Sequence, residues 1–184
     1  MQIIQGRLPG CSIIKIHQMT DARGRFTKTF NHELFQESGL ATNFVEEYVT
    51  VSRSDVIRGL HFQRPPKDHT KLVCCLHGKI MDVVVDLRIG SPAYGQHEIF
   101  HLEGESGWLV YIPPGLAHGF CVLSSTAIVL YNVTSLYSES CDAGIRWDSA
   151  GISWPLTHPV LSERDQRFEA LSDFKSPFVF NRAR

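Results

Sequence analysis

Between residues 57 and 120, strand-like apolar stretches alternate with period two, the spacing of strands whose side chains point to opposite faces, within a region of short strands that runs from about 44 to 147. Gly, Pro, Asp and Ser interrupt the alternation at intervals of roughly 8 to 12 positions. That punctuation predicts short antiparallel strands folded into a sandwich or jelly-roll barrel, a mainly β architecture. Upstream, 11–17 and 25–30 read as strands joined by the turn Asp21-Ala22-Arg23-Gly24, with Gly at the permissive position. Residues 31–38 read as a helix near residue 33, capped by Asn31 and ended by Gly39. Trp154-Pro155 closes the strand region, and Ser162-Glu163-Arg164-Asp165 opens a second short helix near the C-terminus, with Ser162 as its cap. Residues 174–184 carry no assignment.

Three strand-like stretches between 57 and 120 hold basic or imidazole side chains inside apolar runs. In the first, His61 and Gln63 share one face while Leu60 and Phe62 take the other. In the second, Asp82, Val84 and Asp86 share a face opposite Val83, Val85 and Leu87. The pattern predicts a small barrel, oily on one side of its sheets and lined with ionisable groups inside. Charges embedded in a strand need a partner or a job.

Composition narrows the class. At 184 residues the chain reads as a single domain, 1–184, with enough length for a sizeable core. The formal net charge of -1, evenly spread, gives no footprint for nucleic acid. The first six residues lack the apolar region of a signal peptide, and no run approaches the roughly 18 apolar residues of a membrane span. Five cysteines are an odd count without a CxxC spacing, and Cys74-Cys75 point to opposite faces of one strand. Reduced packing thiols in a soluble cytoplasmic protein follow from that usage.

Several residues carry candidate chemistry, each beside a plain structural reading. His61 is a general base or a satisfied half-buried histidine. Lys71 is a snorkelling lysine or a cation placed over a developing oxyanion. His118, after Pro113-Pro114-Gly115, ends a turn or faces the same cavity as His61. Tyr131 packs the barrel or donates a proton, and Asp165 completes a capping box or serves the site. Pro113 to His118 resembles half of a cupin metal pattern, but the other half offers only His61, too few imidazoles for a three-ligand site. No metal is expected. Without a Gly-x-Ser-x-Gly elbow, a Walker loop or Gly-x-Gly-x-x-Gly, serine-hydrolase, P-loop and nicotinamide chemistry are not expected either.

Taken together, Asp21-Ala22-Arg23-Gly24, Arg58-Gly59-Leu60-His61-Phe62-Gln63, Lys71-Leu72-Val73, Asp82 to Arg88 with Gly90-Ser91-Pro92, Ile112 to Phe120 and Leu161-Ser162-Glu163-Arg164-Asp165 resemble the dTDP-4-dehydrorhamnose 3,5-epimerases. The likeness runs in order from about residue 10 to 170. It implies a cupin-type double-stranded jelly roll and a homodimer whose sites borrow residues across the interface. It also implies an isomerase without cofactor that inverts C3 and C5 of a nucleoside-diphosphate 4-keto-6-deoxyhexose, in deoxysugar synthesis of the rhamnose type. By the same resemblance His61 matches the base, Asp165 its carboxylate partner, Lys71 the enolate-stabilising lysine and Tyr131 the acid on the opposite ring face. Arg23, Phe26, Arg58, Gln63 and His118 fall among substrate or phosphate contacts, and Tyr137 lies where an aromatic meets the nucleotide base.

The sequence departs from the family pattern where the nucleotide is read. Met19 and Lys28 stand where Phe and Glu are usual, and Glu46, Tyr48 and Thr50 replace Gln, Asn and Ser. A carboxylate cannot donate as an amide can, so Lys28, Glu46 and Tyr48 point to epimerase chemistry with an altered preference, for CDP, UDP or GDP sugars. Two further readings stay open: a 3- or 5-monoepimerase, and a cupin that binds a sugar nucleotide without catalysis. Against the last, binding alone needs no base and acid pair.

Overall fold

The computed structural model describes residues 1–181. In chain order the elements are β1 (Gln2–Gln5), β2 (Ser12–Lys15), β3 (Gln18–Asp21), β4 (Gly24–Thr27), α1 (His32–Glu37), β5 (Glu46–Arg53), β6 (Ile57–Gln63) and β7 (Lys71–His77). There follow β8 (Lys79–Asp86), β9 (His97–Glu103), β10 (Trp108–Ile112), β11 (Leu116–Val122), β12 (Thr126–Val133), β13 (Asp142–Gly144) and α2 (Glu163–Gln166). Two antiparallel sheets face each other as a jelly roll, one ordered β1-β2-β10-β7-β12-β5 and the other β13-β6-β11-β8-β9. Their inner faces meet in one core that takes Val73 and Cys75 from β7, Val129 from β12, Val84 from β8 and Phe120 from β11.

The chain passes between sheets at Gly78, where β7 ends and β8 begins. Gly78 has φ +81, and a Cβ there would sit 2.1 Å from the Thr126 carbonyl oxygen. Only glycine suits both the left-handed backbone and the close approach. Cys74 and Cys75 straddle the six-stranded sheet as expected, one outside and one in the inter-sheet core. All five cysteines are unpaired thiols.

The α1 prediction holds in detail: the Asn31 side chain accepts from the Leu34 N–H, and Gly39 follows with φ +70. Phe35, on its inner side, packs with Phe30 and Phe44 over the outer face of the six-stranded sheet. The turn at 21–24 does not join 11–17 to 25–30. It closes the β3–β4 hairpin, which pairs with neither large sheet, while β2 lies between β1 and β10. Both β1 (Gln-Ile-Ile-Gln) and β3 are mostly exposed, and neither shows the alternation that marks a half-buried strand.

The division into an oily and an ionisable face needs a second correction. Val83, Val85 and Leu87 are buried on the outer side, but Val84 on the other side belongs to the apolar inter-sheet core. The barrel interior is apolar around Val84; most of its ionisable groups line one cavity, and outside that cavity the fully buried Asp86 pairs with Arg88 at 2.6 Å. The outer face of the five-stranded sheet is covered by the chain beyond β13, which brings Trp147, Trp154, Phe174 and Phe178 onto it. Phe62 meets the rings of Phe174 and Phe178 edge-on at 5.3 and 5.5 Å. Burying each such ring contributes roughly 1.5–3 kcal/mol. Regular strand therefore ends at Gly144, before Trp154-Pro155, and irregular chain does the covering. Neither helix among the described residues is long and apolar enough to cross a membrane.

Candidate active site

The polar end of the barrel is a cavity of about 250 Å³. Its two walls come from different sheets. β6 and β11 bring Arg58, His61, Gln63 and His118, while β5, β7 and β12 bring Tyr48, Lys71 and Tyr131. Strand alternation does the sorting: Leu60 and Phe62 go to the outer core, so His61 and Gln63 face inward.

His61 is held from behind. Its Nε2 lies 2.8 Å from Asp165 Oδ1, and the other carboxylate oxygen accepts the Gly59 N–H at 3.2 Å. Ser162 caps α2 by accepting the Asp165 N–H at 3.1 Å, but the Asp165 carboxylate turns to the imidazole instead of closing a capping box. An ionised carboxylate only accepts, so Nε2 carries the proton and Nδ1 is left as the basic nitrogen. Burial lowers the His61 pKa below 6.5; Asp165 opposes that shift, while Arg164 and Lys71 reinforce it. For Asp165, burial pushes upward, but His61, the Gly59 N–H and Ser162 outweigh it and take the pKa down to about 2. At neutral pH the pair is a neutral imidazole on an ionised carboxylate, a base already oriented.

Lys71, only 6% exposed, donates from Nζ to the His61 carbonyl oxygen at 3.0 Å. Burial is the main reason its pKa drops from 10.5 to about 8, partly offset by Asp142 and Asp82. Across the cavity, burial holds the Tyr131 hydroxyl well above the usual range, with Tyr48 and Asp82 adding to the effect. Tyr131 therefore keeps its proton at neutral pH and can donate it. The Tyr48 and Tyr131 rings stack at 4.7 Å and 15°, and His118 meets Tyr131 edge-on at 5.9 Å. His118 sits within β11 rather than ending a turn, and its Nε2 lies 2.7 Å from the fully buried Asp82 carboxylate.

Other expected contacts divide into three groups. Arg58 and Tyr137 line the cavity, with Arg58 Nε donating to Ser52 Oγ at 2.9 Å. Gln63 lines it too, but its amide is spent on the chain: Nε2 donates to the Lys67 and Leu136 carbonyls, and Oε1 accepts from the Ser138 N–H at 2.6 Å. Glu46 lies outside the lining and accepts the Tyr137 N–H at 2.7 Å, so it fixes the loop that carries Tyr137. Arg23, Phe26 and Lys28 sit on or just past the β3–β4 hairpin, away from this cavity. Arg23 pairs with Asp21 in the turn, and Phe26 and Lys28 line a separate recess with Met19 and Leu34.

Sequence reasoning missed five contributors. Arg164 Nη1 bonds Asp142 Oδ2 at 2.6 Å, while its Nη2 lies 2.9 Å from His61 Nε2, a donor facing a donor when Nε2 gives its proton to Asp165, so this approach is no hydrogen bond in that tautomer; Arg164 and Asp142 line the cavity with His69 and Ser135. His69 Nε2 is buried without a partner among the described residues, and burial lowers its pKa to about 3, so it stays neutral. Asp82, behind His118, was legible as a carboxylate embedded in a strand that needs a partner. Nothing local marks Asp142 or Arg164, which meet across 22 positions of chain. Among the described residues no cluster of three His, Cys, Asp or Glu side chains has a geometry that could hold a metal ion.

Comparison with known proteins finds relatives over nearly the whole chain. The family model described as dTDP-4-dehydrorhamnose 3,5-epimerase matches residues 5–173. The chain is 42% identical over 177 residues to the dTDP-4-dehydrorhamnose 3,5-epimerase of Methanothermobacter thermautotrophicus, covering 94% of this chain and 95% of that one. The Legionella pneumophila dTDP-6-deoxy-D-glucose-3,5-epimerase, solved with dTDP-4-keto-L-rhamnose, superposes with a TM-score of 0.93 at 33% identity, over 98% of this chain and 99% of that one. A 3'-monoepimerase from Streptomyces bikiniensis, solved with dTDP-quinovose, gives a TM-score of 0.85 at 31% identity, over 90% of this chain and 86% of that one.

Proposed function

The chain belongs to the dTDP-4-dehydrorhamnose 3,5-epimerase family, and from that premise we propose that it inverts C3 and C5 of dTDP-4-keto-6-deoxyglucose through an enolate. The observation that carries the reading is a half-buried base and a protonated acid on walls from opposite sheets, with the Lys71 cation lining the same cavity from the acid's sheet. In a 4-keto sugar the protons at C3 and C5 are both α to one carbonyl, so one oxyanion site serves both inversions. His61 Nδ1 takes the proton, and the C–H electron pair moves onto the C4 oxygen. Lys71 stabilises that charge in a partly desolvated site, commonly the largest single contribution to such a step. Tyr131 returns a proton to carbon from the other face; the His61 imidazolium then gives its proton to solvent as Tyr131 recovers one from solvent, which restores both groups. Asp165 orients the imidazole and stabilises the imidazolium.

The relatives point to dTDP as the nucleotide, and two of the three residues that suggested another one are engaged within the chain, Glu46 with Tyr137 and Tyr48 with Tyr131, while Lys28 lies in the separate hairpin recess. Proton NMR of dTDP-4-keto-6-deoxyglucose with the protein in D2O is expected to show loss of signal at both C3 and C5. The monoepimerase among the structural relatives makes exchange at one carbon the competing outcome. Silence with dTDP, CDP, UDP and GDP sugars alike would leave a binding protein.

Arg23, Phe26 and Lys28 fit the reading if a second copy supplies them. The hairpin exposes Met19 and Phe26 at 56% each and pairs with neither large sheet, so it is available to reach a partner's cavity. Light scattering is expected to give about twice the 20.8 kDa chain mass. Mixing His61→Asn and Arg23→Ala proteins is expected to restore activity that each lacks, because some mixed sites combine His61 with an intact Arg23. No restoration would place Arg23 outside the site.

A further inference from the structure

Tyr48 stands directly opposite Tyr131 in the β5–β12 register. The two rings are nearly parallel at 4.7 Å, and Tyr48 lines the cavity that the acid serves. Offset stacking of this kind is worth about 0.5–1.5 kcal/mol beyond the area it buries. Tyr131 is further confined by the edge of His118, itself fixed to Asp82. A phenol delivers its proton only along the direction its ring allows, so the plane of Tyr131 decides which carbon face the proton reaches. Tyr48 presents a flat surface against which the Tyr131 ring lies. β5 is an edge strand and Tyr48 is 38% exposed, so no core packing depends on it alone. Burial, with Glu46 and Asp142, pushes its hydroxyl up to about 12, which leaves it protonated and removes any role as a base.

We propose that Tyr48 is a positioning residue for proton return: its ring holds Tyr131 against the enolate face opposite His61. This rests on the epimerase reading above. When the stack is lost, His61 still removes the proton and the enolate still forms. The imidazolium, exchanged with solvent, then returns a deuteron to the face it came from. Exchange continues while inversion fails.

The test compares wild type, Tyr48→Phe, Tyr48→Leu and Tyr48→Ala with dTDP-4-keto-6-deoxyglucose in D2O, with deuterium incorporation and inverted product followed separately by NMR. Circular dichroism and melting temperature confirm that each variant is folded. In the Leu and Ala variants the ratio of inversion to exchange is expected to fall roughly tenfold or more, the scale of a small misplacement of a catalytic group. Tyr48→Phe, which keeps the ring, is expected to keep the ratio. An unchanged ratio in the Leu variant, even with both rates reduced, would reduce Tyr48 to a structural part and overturn the proposal. An equal loss in the Phe variant would assign the effect to the hydroxyl and overturn it too. A wild-type protein that exchanges nothing would instead remove the epimerase reading, and this inference with it.

Discussion

Replacing His61 with asparagine is expected to lower deuterium exchange into dTDP-4-keto-6-deoxyglucose by about 10²–10⁴-fold, the usual contribution of a positioned general base, while dTDP binding measured by calorimetry persists. Asparagine fills similar space but offers no basic nitrogen, so it separates chemistry from occupancy of the cavity. Asp165→Asn should follow in the same direction for a different reason. Its amide can still accept the Gly59 N–H, but the remaining NH2 would face His61 Nε2 and favour the tautomer with the proton on Nδ1, where the base is needed. The pH dependence carries a second signature. His61 titrates below 6.5 in the folded protein and Asp165 near 2, so the base form persists through neutral pH and the acid limb of kcat/KM falls below pH 6.5. Exchange at the wild-type rate in His61→Asn would remove His61 as the base and send the search to the neutral His69.

How much of this was readable from the chain differs by element. The inward face of β6 was legible because Leu60 and Phe62 alternate cleanly with His61 and Gln63, and the outer core under Phe174 and Phe178 enforces that register. The caps of α1 and α2 were legible because Asn31 and Ser162 act within four residues of their own backbone. The fate of the Asp165 carboxylate was not local: the same Ser-x-x-Asp spacing fits a capping box, and only the fold brings His61, 104 positions away, within 2.8 Å. β8 misled because its outer face is covered by irregular chain whose aromatic residues carry no strand period, so both faces are buried. Glu46 and Tyr48 read as base-recognition residues by position; the hydrogen bond of Glu46 with Tyr137 and the stacking of Tyr48 on Tyr131 depend on pairing between distant strands.

Lys71→Met is expected to cut turnover by about 10²–10³-fold and, at the same time, to raise the melting temperature. The two effects share one cause. Burial takes the Lys71 pKa from 10.5 to about 8, so at pH 7 the folded protein holds a cation that would be better solvated in the unfolded chain. Between about pH 8 and 10.5 the unfolded state binds the extra proton, and stability from this group rises with pH; below about pH 8 the full penalty applies. A methionine of similar length removes that penalty, and the expected gain is about 1–3 kcal/mol near pH 7, reduced by the bond to the His61 carbonyl that is lost. Wild-type stability should therefore climb between pH 8 and 10 relative to Lys71→Met, with the two curves converging. Activity should move the other way, because the ammonium that stabilises the enolate disappears as pH passes about 8, giving the basic limb of the profile. Thermal melts and initial rates across pH 6 to 10 test both halves together. A Met variant that is both inactive and less stable at pH 7 would mean that Lys71 holds the site together rather than being held in it under strain.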